Sequence, residues 1–168
     1  PADVCVAPDG SLYVTDWYDP GVGGHNMQDL ERGRLFRIAP PGIKYDFPQL
    51  DLTSLDGALE GLKSPNLSTR YMAWTKLHQS GDQAESILLQ LYRTGDSRER
   101  ARALWLLAKI DGKAQQYVTL AAQDRDEEIR ATSLRIARQT GVDLLTIIRR
   151  LKDDESPQVR REALVALR

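Results

Sequence analysis

The sequence is short of most features that announce a reaction. Among 168 residues there is one cysteine, Cys5, so no internal disulfide can form and no Cys-x-x-Cys-His haem attachment exists. A lone cysteine on a strand is expected to be a small buried apolar residue. No run approaches the roughly 20 apolar residues of a membrane-crossing helix, which argues against membrane insertion by this segment. Surplus positive charge is missing as well. The net charge is -1; residues 1–50 carry 4 Lys+Arg against 7 Asp+Glu, and residues 51–168 carry 19 against 17. Neither part has the basic excess of a nucleic-acid binder. There is no phosphate-cradling glycine loop, zinc-ligand spacing or nucleophile elbow.

What the chain does have is a repeat. Arg70, Arg100, Arg130 and Arg160 stand thirty residues apart. Three places after each comes a small residue, Ala73, Ala103, Ser133 or Ala163; seven places after come Leu77, Leu107, Ala137 and Leu167. Six places before each Arg are Ser64, Thr94, Asp124 and Asp154. Columns in register over four copies mark a helical repeat. The small column lets neighbouring helices approach. The oxygen-bearing column falls where the first helix of each unit ends, so its side chains can accept from backbone N–H groups of the turn. They are also placed to meet the Arg six residues later, and the Arg column is expected to form a ladder between units. Apolar spacing predicts helix pairs over 54–63 and 68–79, 82–93 and 98–110, 113–123 and 127–139, 142–152 and 157–167. Gly81, Gly112 and Gly141 follow the second helices, where left-handed C-caps are usual.

The first fifty residues have a different period. Val4 and Val6 alternate with Cys5 and Ala7, Pro8-Asp9-Gly10 makes a turn, and Leu12-Tyr13-Val14 resumes an extended run to Asp16. That is a hairpin signature. Leu35-Phe36-Arg37-Ile38 reads as a third strand, stopped by Pro40 and Pro41, which cannot extend a ladder. The expected organisation is a three-strand antiparallel meander over 1–42, a linker over 43–53 and a helical array over 54–168. So small a sheet must rest its apolar face on the first helices or on a second chain. The fold class is mainly α: an α-solenoid of four short helix pairs behind a small β-meander. Tyr71, Trp74, Tyr92 and Trp105 are expected in the core between helix layers. His78 ends a helix, where a cation suits the dipole.

The helical part resembles the HEAT family, through Asp124…Ile129-Arg130 and Asp154…Val159-Arg160. Ser64 and Thr94 depart from that pattern, which weakens a ladder in the first two units. The resemblance implies a scaffold or protein-interaction module. The stretch from Asp3 to Trp17 resembles one blade of a six-bladed β-propeller. With Gly21-Val22-Gly23-Gly24-His25, Asp29 and Arg32-Gly33-Arg34-Leu35-Phe36-Arg37-Ile38, it is similar to the last blade of planctomycete-type membrane-bound dehydrogenase-like proteins. Those are related to the sorbosone and soluble glucose dehydrogenase propellers, in which HEAT-like repeats commonly follow the propeller.

That resemblance implies a periplasmic or extracytoplasmic parent that holds pyrroloquinoline quinone and calcium on a propeller axis. A single blade cannot assemble the site, so no cofactor and no turnover are expected of this segment. His25 is the candidate base in a complete parent, and Asp16, Asp19 and Asp29 are candidate calcium ligands. Asp and Asn are also ordinary turn formers, and Asp16 can simply cap a strand end. The alternative function is therefore part of a quinoprotein-like sugar or alcohol dehydrogenase. The primary one is a non-catalytic piece of a larger propeller–HEAT protein, whose partners are a protein or the rest of the propeller. Pro1 in place of an initiator Met, and Leu164, Val165 and Leu167 near the end, suggest a piece of a longer chain or self-association through the last repeat or the blade.

Overall fold

The computed structural model of the chain describes residues 3–16, 32–44, 46 and 48–168. The protein is mainly helical, with a small three-stranded antiparallel sheet at its start. Strands β1 (Asp3–Val6), β2 (Leu12–Asp16) and β3 (Arg34–Ile38) lie in sequence order. Val4 faces Val14, which faces Phe36; Val6 faces Leu12, which faces Ile38. Facing residues share a side of the sheet, so these six make one apolar face. The β1–β2 turn closes with Gly10 at φ 84 and a bond from the Ala7 N–H to the Ser11 carbonyl at 2.8 Å. Asp9 ties the turn to β3. It accepts the Ser11 hydroxyl at 2.6 Å and Arg37 Nη2 at 2.8 Å. The Ser11 hydroxyl first, and Arg37 with it, hold the Asp9 carboxyl down to about 2 against the opposing pull of burial.

The sheet touches the helices at one corner. Asn66 Nδ2 donates to the Val6 carbonyl, and Gly10 lies beside Pro65. This contact covers little, and Val4, Phe36 and Ile38 remain 59%, 46% and 54% exposed. Cys5 is exposed as well, against the expectation of a buried thiol. Its strand is an edge of a three-strand sheet, and its neighbours Asp3 and Val4 are also exposed.

The helices come in pairs: α1 (Leu55–Lys63) with α2 (Leu67–Ser80), α3 (Glu85–Thr94) with α4 (Ser97–Leu107), α5 (Ala114–Ala121) with α6 (Glu127–Thr140), and α7 (Leu144–Leu151) with α8 (Pro157–Ala166). Side chains start them. Ser54, Asn66, Asp126 and Asp143 each accept an N–H of the first turn, and Asp96 forms a reciprocal capping box with Glu99, satisfying donors that the helix leaves open. Gly141 ends α6 at φ 68, ψ 15, in the left-handed region. Gly81 also has positive φ, but its ψ of -127 departs from a left-handed cap and leads into a 3-10 turn at Gly81–Ala84 before α3.

Second helices pack on one another in succession, α2 on α4, α4 on α6, and α6 on α8. The small column sits at these crossings. Ala73, Ala103 and Ser133 are fully buried and Ala163 is 2% exposed; a small side chain lets helix axes come close. One apolar cluster runs without a break from Ala58 to Ala166. Trp74 and Trp105 pack against it and Tyr92 lies within it, whereas Tyr71 is 68% exposed. The buried stripe of α2 is Thr69, Ala73 and Leu77. At about 100° per residue, Tyr71 falls opposite Ala73, so it lies outside the buried stripe, against the expectation that it is core. No helix among the described residues is long and apolar enough to cross a membrane.

Candidate functional site

The repeated Arg column lies along the turns that join the two helices of each pair. Arg130 is the fullest case. Its Nη1 donates to the carbonyls of Asp124 and Arg125 at 2.9 and 3.1 Å, within its own unit. Its Nε and Nη2 donate to Asp154 Oδ2 and Oδ1 at 2.7 and 2.9 Å, in the next unit. One planar guanidinium thus closes a turn and clasps a neighbour, a bidentate arrangement that suits arginine and not lysine. Arg100 makes the same forward step, with Nη2 on Asp124 Oδ2 at 2.5 Å; its Nε goes to the Tyr92 carbonyl at 2.9 Å. Among the described residues, Arg70 and Arg160 make the turn bonds alone, to Ser64 and Pro65 and to Asp154 and Glu155.

The carboxylates therefore do not take the Arg six residues later. That Arg reaches the backbone carbonyl at their position, while the side chain turns to the previous unit. A carboxylate oxygen also receives the turn N–H two residues on: Asp126 on Asp124 at 2.9 Å, and Ser156 on Asp154 at 2.9 Å. Ser64 accepts from Asn66 in the same way at 3.1 Å. Thr94 differs and donates back to the Gln90 carbonyl at 3.0 Å, leaving Arg70 without a carboxylate ahead of it.

These partners set the charges. Arg130, acting first through its hydrogen bonds, holds the Asp154 carboxyl below the usual range against burial. Burial pushes Asp124 up, but the Tyr92 hydroxyl, the Asp126 N–H and Arg100 together hold it down. Burial, and then the Asp124 carboxylate, push the Tyr92 phenol well above its ordinary value. The Tyr92 hydroxyl donates to Asp124 Oδ2 at 2.6 Å and stays a donor.

Further links between units lie outside the columns, among them two that tie together the first three pairs. Arg102 Nη1 donates to the Leu62 carbonyl at 2.9 Å, at the C-terminal end of α1. The Tyr117 hydroxyl donates to Glu85 Oε1 at 2.5 Å, and Lys113 Nζ stands 3.2 Å from the same oxygen. Neither repeats at thirty residues, so no periodicity could reveal them.

Of the candidates for catalysis and metal binding, Asp16 alone falls among the described residues. Asp16 ends β2 opposite Arg34. Asp19, His25 and Asp29 lie outside the described residues. No group of three or more His, Cys, Asp or Glu suited to a cation occurs among the described residues. His78 stacks on Trp74, ring centres 4.8 Å apart, and acts as a surface residue of α2. At the far end, Leu164 and Leu167 are 69% and 58% exposed beside Ile148 and Arg160.

No protein-family model matches the chain, and no curated protein matches it.

Proposed function

We propose that this chain is a non-catalytic interaction module. In this reading it is an α-solenoid of four short HEAT-like helix pairs, joined to a sheet of propeller-blade type and serving as a scaffold for a protein partner or for further propeller blades. One observation carries the reading. The Arg100–Asp124 and Arg130–Asp154 bonds both span 24 residues and join consecutive helix pairs in the same manner. A clasp repeated at the same place in successive units favours an extended stack with a long surface over a closed bundle around one pocket. The apolar sheet face and the exposed Leu164 and Leu167 are further surfaces on which protein neighbours, a second copy of the chain included, would rest.

Crosslinking mass spectrometry in a lysate of the source organism tests this. Crosslinks from one or more proteins to residues 54–168, above those of a heat-denatured control, are expected. Their absence from the whole chain would remove the scaffold reading.

A further inference from the structure

Helices α4, α6 and α8 frame a groove lined by Trp105, Arg135, Arg138, Gln139 and Glu162. We propose that this groove docks an acidic, extended segment of a partner protein, with carboxylates on Arg135 and Arg138 and an aromatic or aliphatic side chain on Trp105. The proposal rests on the scaffold reading and adds the chemistry of the partner.

Each residue has a part fixed by the fold. Arg135 and Arg138 are three apart on α6, so they share a helix face. Glu162, only 9% exposed, accepts Arg135 Nη2 at 3.1 Å. That bond orients the guanidinium while 42% of the Arg135 side chain stays open to solvent. Arg138 is exposed and makes no hydrogen bond or ion pair among the described residues. Glu162 thus balances Arg135, and the charge of Arg138 is left over to meet an anion. Trp105 is half-buried and packed against the core, so its ring is already ordered and loses little freedom when covered. Ordered Trp and Arg are the side chains that most often dominate protein contacts.

The groove crosses three neighbouring second helices. Packed helix axes stand about 8–10 Å apart, which about three residues of extended chain span. A carboxylate about three residues from an aromatic side chain therefore fits the distance from Trp105 to the arginines. The helical part as a whole lacks the charge excess for a phosphate polymer, with 19 Lys+Arg against 17 Asp+Glu over residues 51–168.

The test is fluorescence anisotropy with a labelled peptide of about twelve Asp and Glu residues and one central Phe, a length that covers the groove with margin. The wild-type chain should bind it saturably. Arg138→Glu should weaken binding about tenfold or more, and Trp105→Leu, which keeps an apolar side chain, about fivefold. Arg150→Glu, the same charge change at an exposed position of α7 outside the groove, should alter it less than about twofold. Circular dichroism melts close to wild type for Arg138→Glu would show that the fold is kept. Absence of saturable binding, equal losses for Arg138→Glu and Arg150→Glu, or equally tight binding of an oligothymidylate of matched charge would each overturn the groove. Crosslinks to residues 54–168 in the lysate would in that case leave the scaffold standing without this partner.

Discussion

Replacing Arg130 by Met tests the clasp directly. The substitution keeps the length and apolar stem of the side chain and removes every hydrogen bond of the head. Two carbonyls, of Asp124 and Arg125, lose a donor. Asp154 loses both arginine bonds and keeps the Ser156 N–H. The two side chains are 10% and 8% exposed, but Arg130 stands in the first turn of α6 and Asp154 in the α7–α8 turn, at the rim of the helix pairs. Exposed ion pairs contribute about 0–1 kcal/mol, and breaking a buried pair costs about 3–5 kcal/mol. A rim pair falls between, so a loss of about 2 kcal/mol is expected. Arg70→Met is the internal control. It removes the same kind of turn bonds, to Ser64 and Pro65, with no carboxylate in play, and should cost about 1 kcal/mol or less.

Urea unfolding followed by circular dichroism measures both variants. Because Arg130 joins the third and fourth helix pairs, its loss should also uncouple them. The transition should broaden or split, with a lower denaturant dependence than wild type. Equal costs for Arg130→Met and Arg70→Met, with unchanged cooperativity, would refute a role for the forward clasp in holding units together.

Thr94→Asp should give Arg70 the carboxylate that Arg100 and Arg130 already have, and raise stability by about 0.5 kcal/mol in urea; Arg70→Met should abolish the gain. The Asp154 carboxyl is held low in the folded chain, so its contribution is present above the unfolded value of about 3.9 and disappears as pH falls through the folded value. The difference in urea midpoint between wild type and Asp154→Asn should therefore hold from pH 7 to about 5 and close below about 4. Leu104→Ala, at a fully buried position, should cost about 3 kcal/mol. The same change at Leu164, 69% exposed, should cost under about 0.5 kcal/mol by thermal or urea unfolding.

The helices were legible because each unit writes the same burial pattern at the same interval. A helix expected over 127–139 is observed at Glu127–Thr140, and one over 68–79 at Leu67–Ser80. The hairpin was legible from Pro8-Asp9-Gly10, whose glycine takes the positive φ that the turn requires. The direction of the clasp was not. Spacing within a unit pairs Asp154 with Arg160, yet the turn aims the Asp154 side chain away from Arg160, and the partner is 24 residues behind. A sequence gives distance along the chain, and only stacking converts thirty minus six into a contact. Tyr71 was misplaced because it stands two residues from Ala73, about 200° around a helix of 3.6 residues per turn. The groove went unread because Trp105, Arg135, Arg138 and Glu162 belong to three helices and to no shared column of like residues. Of the candidate catalytic and metal residues, only Asp16 lies within the described chain.

The three junctions between the four helix pairs are not equally held. The second, third and fourth pairs are joined by arginine–carboxylate bonds, Arg100 to Asp124 and Arg130 to Asp154. The first pair is joined to the second by Arg102, which reaches back to the carbonyls of Leu62 and Lys63 at 2.9 and 3.4 Å. Those carbonyls are among the last of α1, where the helix dipole presents negative charge. This link uses one nitrogen on backbone acceptors, and desolvation and the nearby Arg70 charge both lower the Arg102 pKa, so its cation gains less than that of Arg130. The first junction is accordingly the softest of the three, and the first pair is the one that meets the sheet through Asn66. Motion between sheet and helices would concentrate there, while the groove framed by α4, α6 and α8 stays on the firmly clasped part. Firm junctions under the proposed groove, with a compliant joint toward the sheet, would suit the proposed scaffold role.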